Sequence, residues 1–204
     1  MISIVDYGLG NVRAFVNMYK RMGIEATTAS DAKALADATK IILPGVGAFD
    51  HAMTLLDGSG MRETLDEQVL GKRVPVLGVC VGMQILTNSS DEGTKPGLGW
   101  IPGHVRHFSN LPSAAKLPLP HMGWNDVRPV SGSPLLAGLH NDARFYFLHS
   151  LFFVCDNADH AAATANYGED FVCGVHAGNI FGVQFHPEKS HHWGARLLKS
   201  FAEL

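Results

Sequence analysis

The sequence predicts an α/β protein: a central, mostly parallel sheet flanked by helices, with antiparallel strands added beside it. Three observations carry this expectation. In the first half, short β-rich runs alternate with segments whose apolar residues recur at helical spacing. In the second half, six short strand candidates follow one another with only brief turns between them. The length, 204 residues, is enough for one substantial core and too little for two large domains, so residues 1–204 read as a single domain.

The elements follow in order. Residues 2–5 form the first strand, and Asp6-Tyr7-Gly8-Leu9-Gly10-Asn11 is a turn. Val12, Phe15, Val16, Tyr19 and Met22 then mark one face of a helix, with Gly23 as its C-cap. Strands are expected at 24–28 and 41–43, the latter running into Pro44-Gly45-Val46-Gly47. Helical segments are expected within 48–57 and 61–70. A fourth strand covers 74–79, and a helix opens at 81–87. In such a sheet ligands sit beyond the carboxyl ends of the strands, where the loops at 6–11, 44–49 and 80 all fall. Further strands are expected at 104–108, 144–149, 151–155, 161–166, 171–176 and 180–185. The proline-rich stretch 111–120 reads as a surface loop, and 190–204 as a closing helix.

Composition narrows the function classes. Apolar residues make up 46% and charged residues 17%, an ordinary soluble balance. The net charge of −3 leaves no basic footprint for nucleic acid. No apolar run reaches the length of a membrane span, and the first residues lack the basic flank of a signal peptide. Three cysteines, Cys80, Cys155 and Cys173, are an odd number without a Cys-x-x-Cys pair. Neither a disulfide framework nor a zinc site is expected, and a reducing cytoplasm fits.

Two segments carry chemistry. Val74-Pro75-Val76-Leu77-Gly78-Val79-Cys80-Val81-Gly82-Met83-Gln84 has the layout of a nucleophile elbow, a sharp strand-to-helix turn that presents a reactive side chain. A thiol at a helix N-terminus is favoured as thiolate. Alone, the pattern would serve equally for a buried, inert cysteine. The second segment is Ile180-Phe181-Gly182-Val183-Gln184-Phe185-His186-Pro187-Glu188. A strand delivers His186 at its end, Pro187 stops the strand, and Glu188 can orient the imidazole. Cys80, His186 and Glu188 supply nucleophile, base and orienter for acyl transfer. The developing oxyanion needs donors, which the amide of Val81 and the glycine-rich turn after residue 43 could provide.

On these residues the chain resembles the class I (triad) glutamine amidotransferases along almost its full length. Gly-Val-Cys-Val-Gly-Met-Gln and Phe-His-Pro-Glu are the two family marks. Asp6-Tyr7-Gly8-Leu9-Gly10-Asn11, Pro44-Gly45-Val46-Gly47, His121-Met122-Gly123-Trp124-Asn125, Tyr146-Phe147-Leu148-His149-Ser150 and His186-Pro187-Glu188-Lys189-Ser190 narrow the likeness to the glutaminase subunits of imidazole glycerol phosphate synthases. His-Met-Gly-Trp-Asn is not the pattern of the anthranilate, GMP or CTP amidotransferases. Val81 stands where the family usually has Leu, which leaves the amide in place.

The resemblance implies a flavodoxin-like fold and a set of roles. Cys80 attacks the side-chain amide of L-glutamine, His186 moves the proton and Glu188 orients it. Gly45, Val46 and Gly47 line an oxyanion strand that can rearrange before its amide points inward. Gln84 and Glu92, with the backbone around Ser150 and Leu151, hold the glutamine head group. Asn11, Trp124, Tyr146 and Lys189 face a (β/α)₈ synthase subunit in a heterodimer. Read without the family, Glu92 would be a solvated charge and Trp124 and Tyr146 core aromatics. No cofactor is implied.

Three other readings stand beside this one. The segments 166–172 and 188–194 resemble paralogous subunits that supply ammonia for a surface-polysaccharide sugar. A non-catalytic docking subunit would ordinarily lack the cysteine or histidine. A hydrolase sharing the elbow would not need His-Met-Gly-Trp-Asn. His191 and His192 are expected on the first turns of an exposed helix rather than in a metal site, and Cys155 and Cys173 are expected to be inert.

Overall fold

The structure, a computed structural model, describes residues 1–112, 117–130, 132–139 and 142–204. Of the loop expected at 111–120, residues 113–116 lie outside the described residues. The strands are β1 (Ile2–Val5), β2 (Ala26–Ala29), β3 (Lys40–Gly45), β4 (Val76–Cys80), β5 (Ser89–Ser90), β6 (Gly103–His107), β7 (His121–Asp126), β8 (Arg128–Pro129), β9 (Arg144–His149), β10 (Leu151–Cys155), β11 (Ala161–Tyr167), β12 (Glu169–Ala177) and β13 (Ile180–Val183). The helices are α1 (Val12–Arg21), α2 (Ala32–Ala36), α3 (Phe49–Gly58), α4 (Arg62–Asp66), α5 (Val81–Gln84) and α6 (His191–Glu203).

One sheet runs in the order β2-β1-β3-β4-β13-β12-β10-β6-β5, with β11 joining β12 to β8. The first five strands are parallel, and their 2-1-3-4-then-last order is that of flavodoxin-like sheets. Antiparallel pairing begins at β12. The inner parallel strands β1, β4 and β13 are buried at every position because both faces are covered, whereas β2 at the edge is partly exposed. β7 and β9 form a separate two-stranded ribbon.

Several boundaries differ from the sequence expectation for local reasons. β2 starts at Ala26 because the amide of Ile24 still bonds the Tyr19 carbonyl at the end of α1. The helix expected over 81–87 stops at Gln84, since the carbonyls of Ile85, Leu86 and Thr87 accept from amides of residues 98–101. The segment expected within 61–70 divides into α4 and a π turn over Glu67–Gly71. β13 ends at Val183 rather than 185, and the amide of His186 crosses to the Tyr146 carbonyl of β9. Besides the two-residue strands β5 and β8, two elements had no counterpart in the periodicity. α2 is a single turn and a half started by Asp31, whose Oδ1 accepts from the Ala34 amide at 2.8 Å. β7 runs through the His-Met-Gly-Trp-Asn segment.

Candidate active site

Cys80 ends β4 and precedes α5. Its backbone sits at φ 56°, ψ −115°, a conformation non-glycine residues rarely adopt. That strain is what an elbow requires, and two glycines allow it. A Cβ on Gly82 would lie 1.9 Å from the Leu43 carbonyl oxygen, and one on Gly78 would lie 2.5 Å from that of Gly82. The backbones of β3, β4 and α5 therefore meet closer than any side chain permits.

His186 is 3% exposed. Its Nδ1 bonds Glu188 Oε1 at 2.8 Å, and its ring lines the same cleft as Cys80. Burial works against the charged imidazole. The hydrogen bonds and negative charges of Cys80 and Glu188 outweigh it and raise the ring to about 9. An imidazolium beside sulfur is the pairing that activates a cysteine nucleophile. Glu188 Oε2 is buried with no hydrogen-bond partner among the described residues.

A cleft of about 300 Å³ opens over Cys80 and His186. Val46, Gly47, Val81, Gln84, Glu92, Ser150 and Leu151 line it, as expected for a glutamine site, and Lys189 reaches it too. Gly45 does not. It lies behind the nucleophile, in register with Cys80, where a Cβ would meet the Gly82 amide at 2.6 Å. Gly47 is at φ 89°, beyond the end of β3. Glu92 is not merely solvated: its Oε2 accepts from the Phe49 amide at 2.8 Å, in the first turn of α3. The neighbouring loop is held the same way, with the Thr94 and Lys95 amides donating to Asp50 at 2.9 and 3.0 Å. Gln84 donates to Gln184 Oε1 at 3.1 Å, and its own Oε1 has no partner among the described residues.

The sequence reading missed several residues of this site. Gln184 Nε2 donates to Cys80 Sγ at 3.8 Å, and the tyrosine hydroxyl of Tyr7 donates to the Pro44 carbonyl at 2.8 Å. Pro120, Leu148 and His149 also line the cleft. Gln184 stands two residues before His186 on the same strand direction, a period-two signal that could have placed it on the same face. Nothing local marks Tyr7 or Pro120.

Trp124, Tyr146 and Lys189 come together beside the cleft. The indole meets the Tyr146 ring edge-on at 6.3 Å, and Lys189 Nζ lies 5.7 Å from the centre of that ring. Trp124 is 41% exposed, so it is no core aromatic. His191 stacks on it at 5.4 Å. Asn11 is exposed at the start of α1 and caps that helix through Oδ1. Cys155 is pushed up to about 11 by burial and then by the charge of Asp156, and Cys173 is pushed up by burial. His191 and His192 are exposed on the first turn of α6.

The chain belongs to the class I glutamine amidotransferase family, whose pattern matches residues 3–203. Among its curated relatives, the imidazole glycerol phosphate synthase subunit HisH of Bdellovibrio bacteriovorus is 62% identical over 204 residues, all of both chains. HisH of Leptospira interrogans is 50% identical, and the subunit named HisH 2 of Pseudomonas aeruginosa is 46% identical, each over the whole of both chains. A crystal structure of a glutamine amidotransferase superposes with a TM-score of 0.77 at 20% identity, covering 99% of this chain and 97% of that one. PurLQS from Thermotoga maritima gives 0.73 at 18% identity, covering 99% and 97%. The structural likenesses bear on the fold alone.

Proposed function

We propose that this chain is the glutaminase subunit of an imidazole glycerol phosphate synthase, acting as one domain over residues 1–204. It hydrolyses L-glutamine to glutamate and ammonia. It passes the ammonia to a (β/α)₈ subunit that makes imidazole glycerol phosphate and AICAR in histidine biosynthesis. The observation that carries the chemistry is the strained Cys80 sharing one amino-acid-sized cleft with His186, whose Nδ1 is held from behind by Glu188. The relatives' names support the pathway. Three free thiols suit a reducing cytoplasm.

In this reading Cys80 Sγ attacks the side-chain carbonyl carbon of glutamine. The carbon–nitrogen bond breaks as His186 gives its proton to the leaving nitrogen, and ammonia departs. Water then attacks the thioester carbon, its proton passing to His186, and glutamate leaves as the sulfur regains its electrons. Glu188 keeps the imidazole aimed throughout. The Val81 amide and the strand through Val46 and Gly47 supply oxyanion donors, with Gly45 letting that strand approach. Gln84, Glu92, Ser150 and Leu151 fix the amino-acid end, Glu92 offering its free oxygen to the α-ammonium. Trp124, Tyr146, Lys189 and Asn11 meet the barrel, which shields the ammonia from bulk water.

Three relatives carry a copy number in their names, which favours keeping a second acceptor in view, a surface-polysaccharide sugar served by the same glutaminase. The test is glutamate release with and without a barrel subunit and its nucleotide substrate. Stimulation by the imidazole-pathway nucleotide supports the proposal. Stimulation by a barrel but indifference to that nucleotide supports the second acceptor. No glutamate release in any combination overturns both.

A further inference from the structure

The β7–β9 ribbon has two faces with different contents. Its register pairs His121 with His149, Met122 with Leu148 and Trp124 with Tyr146. Because side chains alternate along a strand, Met122, Trp124 and Leu148 point outward, 65%, 41% and 37% exposed, while His121 and His149 point inward and are buried. The inner face packs into the core, and at its end His149 forms part of the cleft wall, as does the outward Leu148 beside it.

The two imidazoles belong to one directed chain of hydrogen bonds. His149 Nδ1 lies 2.6 Å from the Leu151 carbonyl oxygen. A carbonyl only accepts, so Nδ1 carries the proton. In a neutral ring Nε2 is then an acceptor, and it lies 2.9 Å from His121 Nδ1. His121 therefore also carries its proton on Nδ1, and its Nε2 accepts from Asn125 Nδ2 at 3.2 Å. Asn125 gives its other amide proton to the Asn166 carbonyl at 2.8 Å and accepts from the Asp126 amide through Oδ1. Every atom of the asparagine amide is used, which fixes which way it faces. His121 is also clasped between the rings of Phe147 and Tyr167, at 4.8 and 4.1 Å.

We infer that His149 is a positioning residue for glutamine, holding the turn Ser150–Leu151 against the cleft, with its tautomer dictated by His121 and Asn125. This rests on the glutaminase reading of the cleft and extends it to residues that touch no reacting atom. The neutral state that the chain requires is the one the surroundings enforce: burial pulls His149 down to about 3 and His121 to about 4. It also gives His121 and Asn125 of the His-Met-Gly-Trp-Asn segment a purpose that the outward Trp124 does not share.

The experiment has two arms on the full chain. Imidazole nitrogen–proton correlation spectra at pH 7 report tautomers directly and need no variant. Both rings are expected as Nδ1–H, although Nε2–H is the usual form in water. In glutamine kinetics with the barrel subunit present, His149→Gln removes the Nδ1 donor and is expected to raise KM at least roughly tenfold, with kcat within about threefold of the parent. His149→Asn places an amide N–H where Nδ1 was and should recover at least about threefold of that loss in KM. An Nε2–H or doubly protonated ring in the parent overturns the inference. So does an Asn variant no better than the Gln variant, or a loss confined to kcat. If the Gln variant fails to fold, the parent spectrum decides. A parent that never hydrolyses glutamine sinks the glutaminase reading instead, while the spectrum still judges the hydrogen-bond chain.

Discussion

The state of single groups sets the chemistry. Replacing Cys80 with Ser should reduce glutamate release by roughly a thousandfold or more, because the hydroxyl cannot be ionised by this pair. A Ser variant that works at the parent rate would mean the nucleophile lies elsewhere. Glu188→Gln should lower kcat by about a hundredfold to ten-thousandfold, since the imidazole loses its orienting charge. The same substitution has a thermodynamic signature. His186 is raised to about 9 from an ordinary 6.5, so the folded state holds its proton more tightly than the unfolded chain. The stability this contributes is complete below pH 6.5 and is lost as pH rises through 9. Melting temperatures measured at pH 6.5 and 9 should differ less in Glu188→Gln than in the parent. An unchanged difference would show that Glu188 is not what holds the proton.

Elements carry constraints that no single residue displays. The crossing of β3, β4 and α5 has no room for a methyl group at Gly82, where the Leu43 carbonyl would be 1.9 Å away. Gly82→Ala should therefore cost about 3 kcal/mol or more in urea unfolding, far above what an alanine costs in an ordinary helix. A loss of only a few tenths would mean the crossing yields easily. The β7–β9 ribbon makes the opposite pH prediction to His186. His121 and His149 are depressed to about 4 and 3, so the unfolded chain binds more protons. Their contribution is full above pH 6.5 and disappears as pH falls through 4 and then 3. Stability should fall between pH 6.5 and 4.5 by up to about 2.7 kcal/mol per pH unit, two protons at about 1.36 each. A flat profile over that range would show that the pair is not buried in its neutral form.

At the scale of the whole molecule, Lys189 joins the cleft to the aromatic group, since it lines the one and lies over the Tyr146 ring of the other. Trp124→Ala should weaken capture of the barrel subunit at least roughly tenfold, as aromatic anchors at interfaces do. Titration calorimetry with the barrel subunit reads this, and undiminished affinity would move the docking surface elsewhere. The two faces of the ribbon bring that surface and the glutamine turn within one pair of strands. A partner pressing on Trp124 and Tyr146 acts on the strands that carry His121 and His149.

Local pattern was enough for much of this. The alternation of strands and helices in residues 2–87 was legible because burial on both faces leaves uninterrupted apolar runs, and because glycines on both sides of Cys80 mark a tight turn from strand to helix. The pairing of His186 with Glu188 was also legible, since both lie on one turn. Ends of elements were not. α5 is cut short by amides from residues 98–101, and β13 ends early because His186 crosses to β9, and neither partner is close in sequence. The sequence by itself determined the fold class, the glycine-flanked turn at Cys80 and the His186–Glu188 pair, because each depends on residues a few positions apart. Only the tertiary structure decided that Gly45 stands behind the site rather than in it, that Gln184, Tyr7 and His149 belong to it, and that β7 shows one face to solvent and the other to the aromatic core. Those depend on contacts between segments 28 to 104 positions apart, which no window of sequence contains.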